Sequence, residues 1–116
     1  MRNGRMNQVS LIGRLVRPIQ VQQVNGERQV CNNTLAVQRL RKADEGQPQA
    51  DFIPVVFWGA TANLVEQYCA KGNQIGVNGH LVSRSYVNKQ EQHVYVIELV
   101  VEELYFVEAK REQEAV

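Results

Sequence analysis

Reactive side chains are few in this chain and poorly spaced for catalysis. His80 and His93 are the only histidines, and neither stands at ligand spacing from the other or from a cysteine pair. Both read as surface strand residues. Cys31 and Cys69 are the only cysteines. They could pair, but two free thiols in a cytosolic protein is the favoured reading. Cys69 falls on an apolar helical stripe, where a buried inert thiol is the default. Lys71-Gly72 lacks the preceding glycine loop and the following Ser/Thr of a phosphate cradle. No serine sits in a nucleophile elbow. Glu102 and Glu103 are adjacent, and adjacent strand residues face opposite ways, so they form no acid–base pair. No metal set, cofactor site or catalytic group emerges, and an enzyme reading has no site to stand on.

The aromatic and cationic residues offer a different chemistry. Within residues 51–58, Ile53, Val55 and Phe57 point one way, and Phe52, Pro54, Val56 and Trp58 the other. Both sets are apolar, yet a strand of a small barrel has one core face. The second face must be covered by another subunit or a helix, or it must be used. An exposed aromatic face is a platform on which bases stack. Arg84 and Tyr86 share a face of a later strand, again cation beside aromatic. Arg39, Arg41 and Lys42 lead into a polar loop, and Lys89 lies in the last hairpin. Taken singly, each could be an ordinary solvated cation. Together they set positive charge beside aromatic rings, the combination that grips a single-stranded polyanion.

A scaffold must bring these residues together. Residues 6–16 alternate as a strand with a bulge or bend at Gly13. Pro18 interrupts it, and residues 19–24 resume as a short extended piece. Asn25-Gly26 marks a hairpin, because both residues tolerate positive φ. Residues 28–39 return as a strand and 41–50 form a polar loop. Residues 51–58 are an apolar strand whose Pro54 predicts an edge or a bulge. Within 59–72 the period changes, and Leu64, Val65, Tyr68 and Cys69 fall on one helical stripe. Lys71 reads as the last turn of that helix and Gly72 as its cap. Residues 73–86 are a strand that Gly76 and Gly79 allow to coil strongly, 88–92 a polar turn, and 93–107 a long final strand. From Glu108 onward the chain reads as charged and frayed. Three strands, a helix and two strands is the order of an OB-fold. That is an all-β fold with one helix, a five-stranded Greek-key barrel with the helix between strands 3 and 4. A ferredoxin-like fold needs a second crossover helix, which the pattern lacks.

The 116 residues suit one domain, divided as an N-terminal extension 1–5, a barrel 6–108 and a short charged tail 109–116. At 44% hydrophobic and 22% charged residues, the composition excludes disordered, collagen-like and disulfide-scaffold classes. The longest apolar runs, such as Val55-Val56-Phe57-Trp58, fall far short of the about 18 residues a membrane helix needs. The first six residues hold no apolar stretch of a signal peptide. Net charge is only +1, but it is uneven. Residues 1–97 carry eleven basic and six acidic groups, residues 98–116 two and six. A basic body suits a polyanion, whereas a merely solvated Glu-rich strand and tail is the plainer alternative.

Several stretches occur together in a recognisable order: MNQVSLIGRL (6–15), CNNTLAVQR (31–39), DFIPVVFW (51–58), Tyr68 through Lys71-Gly72, GVNGHL (76–81) and Arg84-Ser85-Tyr86. With them the chain resembles the bacterial single-stranded DNA-binding proteins from Met6 to about Glu108. The resemblance implies an OB-fold that assembles, usually as a homotetramer, and wraps single strands without a cofactor. It implies a place in replication, recombination or repair in the bacterial cytoplasm, at the nucleoid. Its stacking aromatics correspond to Phe52, Trp58 and Tyr86. Arg14, Arg39, Arg41, Lys42, Lys71, Arg84 and Lys89 are the candidate backbone contacts. Arg41 stands where the family usually has an aromatic, though a guanidinium can stack and also neutralise phosphate. Glu91 replaces the glycine usual in the last hairpin, and His80 stands where Arg or Gln is common. Residues 108–116 lack the family's linker and acidic tip, so little protein recruitment through the C-terminus is expected. The competing reading is a primosome-type interaction module with weak nucleic-acid binding. A small OB-fold nuclease would want clustered carboxylates beside an arginine, which the sequence does not supply.

Overall fold

The computed structural model describes residues 6–41, 46 and 49–110. The expected extension 1–5, Lys42 and residues 111–116 of the expected tail lie outside the described residues. In chain order the elements are β1 (Val9–Leu15), β2 (Val21–Val24), β3 (Arg28–Gln38), β4 (Ala50–Trp58), α1 (Ala60–Tyr68), β5 (Gln74–Val87) and β6 (His93–Phe106). β1 and β2 follow one strand path, parted at Pro18, whose ring leaves no N–H for a ladder. The paths close into a ring: β1 pairs with β5, β5 with β6, β6 with β4, β4 with β3, and β3 with β1. The β4–β6 pairing is parallel, from Val55↔Leu99 to Phe57↔Val101. This ring, with a helix between its third and fourth strand paths, is the five-stranded OB barrel that the element order predicts.

Alternation decides what fills the barrel. Leu15, Cys31, Leu35, Val55, Phe57, Ile75, Val77, Leu99 and Val101 are all buried in one cluster. Each large apolar side chain among them contributes about 1.5–3 kcal/mol by leaving water. α1 packs on this cluster through Ala62 and Val65, followed by Cys69. The expected helical stripe is therefore corrected. Leu64 and Tyr68 remain 37% and 47% exposed, because the contact is a narrow line at i, i+3 and i+7 built on a small residue. The helix also ends at Tyr68, and Cys69 turns extended (φ −130°, ψ 157°) as its side chain enters the core. Lys71 is thus not in the last turn, and Gly72 is not the cap. Gly72 instead turns the chain so that its N–H donates to the Leu15 carbonyl at 2.8 Å.

Gly13 carries no bulge, since the β1–β5 register runs unbroken through Gly13↔Ile75. A Cβ there would lie 2.8 Å from the Ala36 carbonyl oxygen. The glycine lets β1 bend close over β3, where Arg14 and Leu15 pair with Ala36 and Leu35. The bulge sits on β6, where Glu102 is the extra residue between Asn78↔Glu103 and Gly79↔Val101. A Cβ on Gly79 would overlap the Val100 carbonyl beside it. Pro54 lies at an edge as expected, because β4 acquires β6 as a neighbour only from Val55 onward. Asn25 and Gly26 take the expected positive φ, 55° and 81°.

The fraying expected from Glu108 is corrected for residues 108–110. Glu108 Oε1 accepts from the Gln74 N–H (2.9 Å), Asn73 Nδ2 (3.3 Å) and an Arg14 nitrogen (3.3 Å). Asn73 Nδ2 also donates to the Ala109 carbonyl at 2.8 Å. Lys110 Nζ donates to the Glu66 and Gln67 carbonyls near the C-terminal end of α1, at 3.4 and 3.3 Å, where a cation suits the helix dipole. Asn73, 1% exposed, organises this clasp, and no hydrophobic periodicity marks a polar residue of that kind.

Candidate nucleic-acid interface

Register places the predicted aromatics on one face of the sheet. Val56 lies opposite Val100, and Val100 lies opposite His80. Stepping by two, Phe52, Pro54 and Trp58 of β4 join Val82, Arg84 and Tyr86 of β5 on this face, away from buried Val55 and Phe57. Phe52 is 58% exposed and Tyr86 48%, and Trp58 is half-buried. Phe52 stands opposite Ala36, whose methyl group leaves the ring open. Tyr86 stands opposite Val94, near the far end of the β5–β6 hairpin.

Trp58 sits where β4 passes into α1, and that corner is tied twice. The Trp58 N–H donates to Thr61 Oγ1 (3.1 Å), and the Thr61 hydroxyl donates to the Trp58 carbonyl (2.9 Å). The Gly59 N–H donates to the Gln29 carbonyl of β3 at 2.8 Å. Val30 lies directly opposite Trp58. Arg28, two residues earlier on the same side of β3, sets its guanidinium carbon 4.3 Å from the Trp58 ring centroid. The sequence reading names neither Arg28 nor Thr61. A hydroxyl in the first turn after a strand is a readable signal for Thr61. Arg28 meets Trp58 only through the β3–β4 register, which residues 39–49 between them leave open.

The predicted cations divide by partner. Arg84 Nε donates to Glu98 Oε1 at 3.1 Å, on the aromatic face. Arg39 pairs with Asp51 at 3.0 Å, and Asp51 alternates with Phe52, so this pair belongs to the other side of the strand. Arg14 is separated from Phe52 by Ala36 alone in the register. Its guanidinium donates to the Gly72 carbonyl (3.1 Å) and to Glu108 (3.3 Å). At such exposures these ion pairs add at most about 1 kcal/mol each, but they fix the direction of the arginine fork. Arg41, Lys71 and Lys89 are exposed: Arg41 after β3, Lys71 in the turn after α1, and Lys89 in the β5–β6 turn. The structure thus gathers Phe52, Trp58, Tyr86 and Arg84, and it leaves Arg39 and Lys71 off that row.

Glu91 does occupy a glycine-like position, with φ 62°. Asn88 holds the turn by accepting at Oδ1 from the Gln90 and Gln92 N–H groups, both at 2.9 Å. His80 Nδ1 faces Glu102 at 3.5 Å. Among the described residues, no three His, Cys, Asp or Glu side chains converge as a metal site. Burial pushes the Cys69 thiol up to about 11 and raises Cys31 as well, so both free cysteines are held protonated.

The sequence profile of the single-strand binding protein family matches residues 6–107, the span that forms the barrel. The chain belongs to this family. A Clostridium acetobutylicum protein named single-stranded DNA-binding protein 1 is 40% identical, covering 92% of this chain and 98% of the relative. Single-stranded DNA-binding protein B of Bacillus subtilis is 35% identical, over 94% of this chain and 96% of its own. A Streptococcus pneumoniae single-stranded DNA-binding protein is 38% identical, over 94% of this chain and 70% of its own. Among solved structures, a Plasmodium falciparum SSB in complex with ssDNA matches with a TM-score of 0.77 and 24% identity, covering 93% of this chain and all of that one. That likeness shows a shared fold. No helix among the described residues is long and apolar enough to cross a membrane.

Proposed function

We propose that this protein binds single-stranded DNA with little regard to sequence, by stacking bases on Phe52, Trp58 and Tyr86 while cations follow the phosphates. The observation that carries this reading is the single row of exposed or half-exposed aromatics with Arg84 among them. Every base has a π-face, so stacking at about 1–3 kcal/mol per base discriminates little among sequences. A duplex hides those faces, so single strands win. No bond is made or broken, in keeping with a family of binding proteins. The names of the bacterial relatives give single-stranded DNA as what those proteins bind, and our reading extends a binder of this kind to replication, recombination or repair in the cytoplasm. The test is a titration with oligo-dT and with a duplex of equal length at two salt concentrations. Preference for the single strand is expected, with a log–log salt slope near −0.7 per phosphate neutralised. Equal affinity for both forms overturns the reading.

The same reading includes a homo-oligomer, most simply a tetramer. Ile12, Tyr105 and Val107 are 57%, 52% and 47% exposed and line one hollow around Gly76. Tyr95 and Ile97, 74% and 62% exposed, stand on the β5–β6 hairpin. Apolar surface of this kind supports association. Light scattering is expected to give a multiple of 13.2 kDa at micromolar concentration, and a monomer contradicts it.

A further inference from the structure

Trp58 is not bare. The guanidinium of Arg28 lies over its ring, 4.3 Å from the centroid. A stacked base needs roughly 3.4 Å for its own thickness, so none fits between the two groups. Arg28 is itself exposed, and the ring face it covers is closed to a base while the guanidinium stays there. Arg28 must therefore move before a base stacks on that face, and the magnitudes favour the exchange. An exposed cation–π contact is worth about 0.5–1 kcal/mol, base–aromatic stacking about 1–3 kcal/mol.

What the displaced guanidinium then does follows from its surroundings. Arg14, Arg39 and Arg84 are each held by a carboxylate. Among the described residues, Arg28 has no such partner. It sits at the first position of β3, just past the turn at Asn25-Gly26, with its charge always present and no carboxylate among the described residues in ion-pair contact with it. The nucleotide that takes its place on Trp58 brings a phosphate with it. We propose that Arg28 is a further DNA-binding residue, a movable cover that leaves the indole when a base stacks and closes on the adjoining phosphate. In the free protein it shields the half-buried tryptophan from water, and in the complex it contributes one backbone contact. This inference rests on the reading of Trp58 as a stacking residue.

The experiment compares wild type, Arg28→Ala and Arg28→Lys by oligo-dT titration at several salt concentrations. It is followed through the fluorescence of Trp58, the sole tryptophan. An exposed residue at a strand end leaves all three folded, which thermal melting verifies. For Arg28→Ala the expected result is a salt slope smaller in magnitude by about 0.7, the value for one phosphate on a single strand. Affinity should fall several-fold at low salt and approach wild type at high salt, with full Trp58 quenching at saturation. Arg28→Lys should keep the wild-type slope, because its charge still reaches the phosphate. An unchanged slope in Arg28→Ala overturns the proposal, and so does loss of the quench, which would place the base on Arg28 rather than on Trp58. Wild type that binds DNA with no Trp58 quench overturns the Trp58 site itself, which separates the two failures.

Discussion

Phe57 and Trp58 are consecutive in β4 and live in different media. Phe57 is fully buried, in one cluster with Leu35, Val55 and Leu99. Trp58 lies half-open on the outer face beneath one guanidinium. Both are large aromatics in one strand, so neither type nor neighbourhood in the chain separates their roles. The pleat does. Inside the ring, apolar area is spent on holding strands together. On the outer face, the same kind of area remains available to a ligand.

Substitutions along these two rows should separate cleanly. The largest effect is expected inside: Phe57→Ala should cost about 3–5 kcal/mol in denaturant unfolding, through lost burial and a cavity. Alkali should come next. The Cys69 thiol is raised from an ordinary 9.0 to about 11 by burial. The folded state holds that proton more tightly than the unfolded chain. Its contribution, on the order of 2–3 kcal/mol, is full below pH 9 and lost as pH rises through about 11. Cys69→Ala should flatten that part of the pH–stability curve. On the outer row, Phe52→Ala and Tyr86→Ala should each weaken oligo-dT binding by about 1–3 kcal/mol, with melting temperatures nearly unchanged. The smallest effect is expected from Glu98→Gln, which releases Arg84 from its 3.1 Å ion pair. Stability should fall by about 0.2–1 kcal/mol, and single-strand affinity should rise slightly, as calorimetry would show.

Much of this division is legible in the amino-acid sequence. Period-2 alternation across residues 51–58 separates Phe57 from Trp58, and the element order yields the barrel. What the sequence hides is register and clasp. The helix at 60–68 buries Ala62 rather than Leu64, because the barrel's end selects the contact line and composition does not. Gly13 signals a special backbone position, yet only the approach to Ala36 shows that it is a close crossing rather than a bulge. The bulge at Glu102 has no glycine of its own to announce it. The carboxylate partners of Arg14, Arg39 and Arg84 range from 12 to 94 residues away, beyond the reach of any local motif. Arg28 escapes notice for the same reason, since its partnership with Trp58 exists only once β3 and β4 are paired.

The central claim is that the outer aromatic row is a ligand surface rather than a second core. Trp58→Ala, measured once for unfolding free energy and once for oligo-dT affinity, tests it most directly. The account predicts binding weakened about 5- to 150-fold, with a stability loss well below the about 3–5 kcal/mol of a core tryptophan. Unchanged affinity together with a stability loss in that core range would contradict it.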